Sequence, residues 1–259
     1  MCIINGPIVS VGSTKIFAMP STDFSRQLTV YRNTVNTPDS NLMCLPVPFP
    51  ASVAFEKVPV TLFEQCADSF QTMELHAYRS IAPTWAPLTI VSHGSYEVVI
   101  VPTMHDLHRV PTGFGSLSPE VVALLQETYS VDYGVLLCRL VPGLTEYEPF
   151  AYSHRILMEG WGSKTFTQRQ SGPPLFIPTL HYHLDEEGVS WDHEVYTIRT
   201  NPQGAHRSLL RIPKPKNAIQ WATMPAAFQA SQHRLHVLDL SGSNHPNQDL
   251  FLPVVQTSS

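Results

Sequence analysis

Charged side chains are scarce in this chain. Aspartate, glutamate, lysine and arginine make up 14% of its 259 residues, against roughly 25% in an ordinary soluble domain. Lysine is the rarest of the four, present only as Lys15, Lys57, Lys164, Lys214 and Lys216. The net charge is −5 and the pI near 6.2, so the basic surface that nucleic acid or an anionic membrane requires is missing. No nucleic-acid partner is expected. No apolar run approaches the ~18 residues of a spanning helix, so membrane insertion is not expected either. The first residues lack a basic segment followed by an apolar stretch, which makes the cytoplasm the expected compartment.

Cysteine is equally sparse. Cys2, Cys44, Cys66 and Cys138 form no C-x-x-C pair, which argues against a structural zinc knuckle. Cys44 and Cys138 sit in apolar runs and are expected as buried, reduced thiols. The patterns G-x-S-x-G, G-x-x-x-x-G-K-[ST] and a helix-opening G-x-G-x-x-G are all absent. Their absence removes the common serine-hydrolase and nucleotide-binding signatures.

What is present is a succession of short apolar runs, punctuated by Pro, Gly, Asn and Asp. Residues 15–18, 27–31, 42–47, 52–55, 96–101 and 133–141 read as strands, followed by 175–184, 189–198, 235–240 and 250–255. The run at 133–141 is almost continuously apolar, which fits a strand buried on both faces. Two segments read as helices. Ser118-Pro119-Glu120 combines a capping Ser, a Pro at the first helical position and an acid in the first turn. Residues 61–70 place Leu62, Phe63, Cys66, Ala67 and Phe70 at helical spacing. The expected fold class is α+β: β-rich, mostly antiparallel sheets in a sandwich or barrel, with about two short helices. Residues 1–259 are expected to co-fold as one unit. The polar, Gly-containing stretch 161–174 is the boundary if there are two lobes, 1–160 and 175–259. A weak internal echo, Val101-Pro102-Thr103-Met104-His105 against Ile177-Pro178-Thr179-Leu180-His181, is compatible with such lobes.

The densest polar feature runs from His181 to Glu194. Its centre, Asp185-Glu186-Glu187-Gly188, reads as a tight turn. Pairing Leu184 with Val189 sets His181 opposite Asp192 and puts His181, His183 and Asp192 on one face. Tyr182, Trp191 and His193 then share the other, core-facing side. Two imidazoles with a carboxylate opposite suit Zn or non-haem Fe(II); a solvated hairpin face has the same pattern, and no cofactor is the default expectation. The spacing of His181, His183 and Glu187 also resembles the first cupin metal motif, and Pro202-x-Gly204-x-His206 resembles the second. That resemblance implies a metal held by His181, His183, Glu187 and His206. Gly172, however, lies too far upstream for the leading glycine, and His206 comes one residue early. His105 and His108 stand three apart just after a strand and read as surface residues.

Cys2 is the remaining candidate. Removal of Met1 would expose an N-terminal thiol with its own amine as base, and Met-Cys followed by a short strand resembles the start of N-terminal nucleophile amidohydrolases. That resemblance implies a catalytic Cys2. A retained Met1 leaves Cys2 an ordinary side chain.

Taken together, several segments resemble a family of uncharacterised bacterial proteins. They are the opening Met1-Cys2 to Gly6-Pro7, Thr14 to Ala18, Arg26 to Tyr31, Leu42 to Pro48, Ser118 to Tyr129, and His181-x-His183 with Trp191-Asp192-His193-x-x-Tyr196. The resemblance spans most of the chain and implies a single folding unit; no activity comes with it.

Few charges, eleven arginines against five lysines and 10% aromatic residues match the composition of association surfaces. The first expectation is therefore a non-enzymatic, self-associating structural or scaffold protein whose partners are copies of itself. The second is a metal-dependent enzyme at the histidine hairpin, and the third an amidohydrolase that uses Cys2.

Overall fold

Most of the apolar runs become strands in the computed structural model, which describes residues 2–70, 90–156, 174–183, 192–199, 218–229, 234–241 and 246–253. The first half contains β1 (Cys2–Ile4), β2 (Ser10–Pro20), β3 (Arg26–Thr37), β4 (Asn41–Pro48), β5 (Ala54–Phe55), α1 (Leu62–Asp68), β6 (Ile90–His93), β7 (Tyr96–Val101) and α2 (Pro119–Thr128). The second contains β8 (Tyr133–Leu140), β9 (Gly143–Glu146), β10 (Phe150–Arg155), β11 (Pro174–Ile177), β12 (His181–His183), β13 (Asp192–Arg199), β14 (Arg234–Ser241) and β15 (Leu250–Pro253). The protein is α+β and mostly sheet.

One sheet has the order β12-β1-β4-β8-β7-β6 and the other β14-β13-β2-β3-β10-β5, with β9 pairing the far end of β3. β11 and β15 form a separate antiparallel pair. Among the described residues, only β1 with β12 and β2 with β13 run parallel. These two exceptions share a cause in the chain path. The chain crosses from the first sheet to the second between β1 and β2, and crosses again in the same sense between β12 and β13. The later segment therefore lies alongside the earlier one, and strands beyond residue 174 complete both sheets that β1 and β2 begin.

Alternation along β2 separates two cores. Ile16 and Ala18 enter the apolar layer between the sheets, whereas Phe17 and Met19 join Leu62, Phe63 and Cys66 of α1 on the far side of the second sheet. The same parity orders the first sheet. Met43 faces the second sheet, its sulfur 3.6 Å from Nδ2 of Asn33, while its neighbour Leu42 lies against Gly115, just ahead of α2. α2 buries Val121 and Leu125. The layers thus run helix, sheet, sheet, helix, and every residue of β4 is buried because both of its faces are covered. Among the described glycines the closest approach is at Gly134 in β8, where a Cβ would stand 2.2 Å from the carbonyl oxygen of Val101 and 2.7 Å from Cγ of Pro50.

Both expected helices form. Ser118 Oγ accepts from the backbone N–H of Val121 at 3.3 Å, with Pro119 opening α2. α1 occupies Leu62–Asp68 within the expected span. The expected hairpin differs. Residues 184–191 lie outside the described ones, as do 157–173 with most of the expected boundary, but β12 and β13 do not pair with each other. His181 stands opposite Cys2, and Asp192 opposite Ser241. Burial explains the difference: each strand completes a different sheet and gains an apolar face that a free-standing hairpin does not have. The run at 175–184 also breaks in two, at Pro178, which has no N–H to give to a ladder. Among the described residues no helix is long and apolar enough to cross a membrane.

Candidate functional site

Three imidazoles gather between the sheets where both segments cross. Residues two apart on a strand share a face, so His181 and His183 both turn towards the second sheet while Tyr182 points away. His193, near the start of β13, comes towards them from that sheet. The rings of His181 and His183 are 4.2 Å apart, centroid to centroid, at 64°. Those of His181 and His193 are 6.1 Å apart at 63°. All three are buried, at 9%, 6% and 2% exposure respectively.

The backbone of β12 is held from both sides. On one side lies β1, with Cys2 the register partner of His181. On the other, the Asn247 amide reaches in from the segment before β15. The N–H of His181 donates to Asn247 Oδ1 at 2.7 Å, and Asn247 Nδ2 donates to the His181 carbonyl at 2.7 Å. Asp249 fastens the residues just before. Its Oδ1 accepts from the N–H groups of Thr179 (2.8 Å) and Leu180 (2.9 Å), and its Oδ2 from the Tyr129 hydroxyl at 2.7 Å. Thr179 Oγ1 ties down the same segment by donating to the carbonyl of Gln248 at 2.8 Å.

Burial sets the protonation states. Desolvation, and then the neighbouring His183, push the His181 imidazole down to about 3, so it is neutral at neutral pH. Burial also pushes the Asp249 carboxyl up, against the hydrogen bonds from Tyr129, Leu180 and Thr179. A neutral imidazole carries one unprotonated ring nitrogen, the atom type that accepts a proton or ligates a metal.

The sequence candidates distribute unevenly over this site. His181 and His183 belong to it, and Cys2 stands in register with His181. Asp192 does not join them; it is exposed at the start of β13. Among the described residues no group of three or more His, Cys, Asp or Glu side chains is placed to hold a metal ion. Glu187 and His206 lie outside the described residues. His105 and His108 occupy an exposed 3-10 turn (Met104–Arg109), with His108 Nδ1 2.7 Å from the carbonyl oxygen of His105. Cys44, Cys66 and Cys138 are free and buried, and burial pushes each thiol upward.

Four residues escaped sequence reasoning as participants. His193 carried a signal, since alternation put it on the core-facing side. Asn247 sits in a stretch, Ser241 to Gln248, that reads as a polar turn, Asp249 follows it directly, and neither carried a signal. His154 of β10 is a second kind of buried histidine, stacked on Tyr152 with ring centroids 6.1 Å apart and with Nδ1 2.8 Å from the Arg155 carbonyl oxygen. Burial pushes it down to about 4.

No family model, curated protein or solved structure matches the chain. The chemistry of the site is therefore carried by its own residues alone.

Proposed function

We propose that the protein is a cysteine-dependent acyl-transfer enzyme of the amidohydrolase kind, with Cys2 the nucleophile and His181 its proton acceptor. The observation that carries this reading is the register of β1 and β12, which sets Cys2 opposite a buried, neutral imidazole. A thiol becomes a strong nucleophile when a neighbouring group takes its proton. Between two sheets an isolated imidazolium is costly, so the proton moves to His181 only when the thiolate stays beside it; the two groups titrate as a pair. The thiolate then attacks an acyl carbon, the imidazolium returns its proton to the leaving amine, and water releases the acyl group from sulfur. A reducing cytoplasm keeps such a thiol free.

Iodoacetamide labelling between pH 5 and 10, with each cysteine resolved by mass spectrometry, tests this. Cys44, Cys66 and Cys138 are buried, so their labelling marks unfolded protein, and the Cys2 adduct is followed by itself. The expected result is a midpoint below the ~8.5 of a free thiol, returning to the ordinary value in His181→Gln. A Cys2 that labels like free cysteine with or without His181 overturns the reading. Intact mass from the same samples reports whether the mature chain starts at Cys2.

A second reading, self-association, is favoured by a separate observation. Val9, Val141 and Leu144 are 66%, 48% and 71% exposed and lie in or beside the ribbon that β9 forms with the ends of β2 and β3. Leu144 and Ser10 flank Asn36 in register, and the Val9 N–H donates to the Asn36 carbonyl at 2.8 Å. Among the described residues β9 pairs only with β3, and an open apolar edge of this kind recruits further strands. Light scattering over a concentration series is expected to show an oligomer that Leu144→Glu dissociates. A monomer at every concentration removes this reading.

A further inference from the structure

We infer that Asn247 is a positioning residue for His181, acting as a one-residue substitute for a neighbouring strand. This rests on the Cys2–His181 reading. In a β-strand the N–H and C=O of one residue point to the same side, and those of the next residue to the opposite side. At His181 both groups point away from β1, to the side of β12 on which, among the described residues, no further strand pairs. The Asn247 amide meets both at 2.7 Å, one as acceptor and one as donor, which is the double bond pattern that another strand would supply there. An edge strand of three residues is otherwise weakly fixed in register and angle. The imidazole springs from the Cα that the amide clamps, so the clamp sets where the ring lies relative to β1. Asp249 and Thr179 anchor the same segment but bond residues 179, 180 and 248, not the backbone of His181.

The Cys2 labelling profile, measured on the full chain alongside thermal unfolding, separates positioning from mere folding. Asn247→Ala removes both bonds and is expected to raise the Cys2 midpoint by about one pH unit, a roughly tenfold slower reaction near pH 7. Asn247→Asp keeps the shape and the acceptor but sets a carboxylate oxygen against the His181 carbonyl in place of the donor, and is expected to raise the midpoint at least as far as Ala does. Thr179→Val loosens the same segment without touching His181, and is expected to lower stability while leaving the midpoint alone. A midpoint unchanged in folded Asn247→Asp overturns the inference, as does a Thr179→Val protein that shifts as far as the Asn247 variants. If His181→Gln shifts nothing either, the Cys2–His181 reading itself has failed. If it shifts the midpoint alone, that reading stands without Asn247.

Discussion

Two of the polar clusters described in the layer between the sheets solve the cost of burial differently. Near the crossing of β3 and β4, Asn33 donates to the Tyr31 hydroxyl (3.3 Å) and to the Met43 sulfur (3.6 Å), and accepts from the Tyr96 hydroxyl at 3.0 Å. The Tyr96 ring stacks on Tyr147 at 4.4 Å. No member changes charge in the physiological range, so this cluster is a passive fixture that fixes the sheets against each other. At the other cluster, His181, His183 and His193 bring titratable rings into the same layer. Burial, and then the neighbouring His183, keep the His181 ring neutral, so a proton placed on that ring is opposed by the fold. A protein that needed only rigidity had the first solution available. The second gives up acid stability and gains groups able to move protons.

The largest expected effect exploits that contrast. The unfolded chain takes up a proton at each histidine near pH 6.5, whereas His181 waits until about 3 and His154 until about 4. Between those values the unfolded state binds more protons, so stability is full above pH 6.5 and declines as pH falls towards 3. Together the two groups remove on the order of several kcal/mol. The raised Asp249 carboxyl opposes this, since it favours the folded state at low pH. Denaturant melts at steps of pH are expected to show a marked slope, with His154→Phe removing part of it. A flat profile from pH 7 to 4 would mean that these rings are not buried neutral.

Next in size is the passive cluster. Asn33→Ala removes the amide oxygen that accepts from the Tyr96 hydroxyl and is expected to cost about 2–4 kcal/mol. Its loss is expected to be the same at pH 5 and pH 8, which is the signature that tells the clusters apart. Gly134→Ala, outside both, forces β8 away from Val101 and Pro50 and is expected to cost roughly 1–3 kcal/mol. The smallest effect belongs to the surface: Ser118→Ala removes the α2 cap for about 1 kcal/mol, readable as a modest drop in melting temperature. Neither change is expected to depend on pH.

Strands and helices were legible because their signals are local. Residues 96–101 match β7 end for end, 133–141 covers β8, and Ser118-Pro119-Glu120 marks the start of α2. The histidine site was only half legible. Alternation correctly grouped His181 with His183 and set His193 on a core-facing strand side, but alternation states which residues share a face and not which face is inside. The turn-like Asp-Glu-Glu-Gly pointed to a local hairpin, while β12 pairs with β1 and β13 lies between β2 and β14, so each has a partner near the other end of the chain. Pairing at that separation leaves no local trace. Asn247 was invisible for a related reason: an amide that imitates a strand looks, in sequence, like any residue of a polar turn.

The parallel seams have a consequence for biosynthesis. Until residues 181–199 have left the ribosome, β1 and β2 each have one flank without its partner, and the layer between the sheets stays open at that side. Folding cannot finish from the N-terminus forward; it must wait for the C-terminal third and then thread two short strands against segments made first. Such non-local closure is slow and leaves unpaired edges exposed meanwhile. Chains cut short before residue 181 are therefore expected to accumulate as aggregates and not as smaller folded domains, and synthesis is expected to be sensitive to chaperone supply.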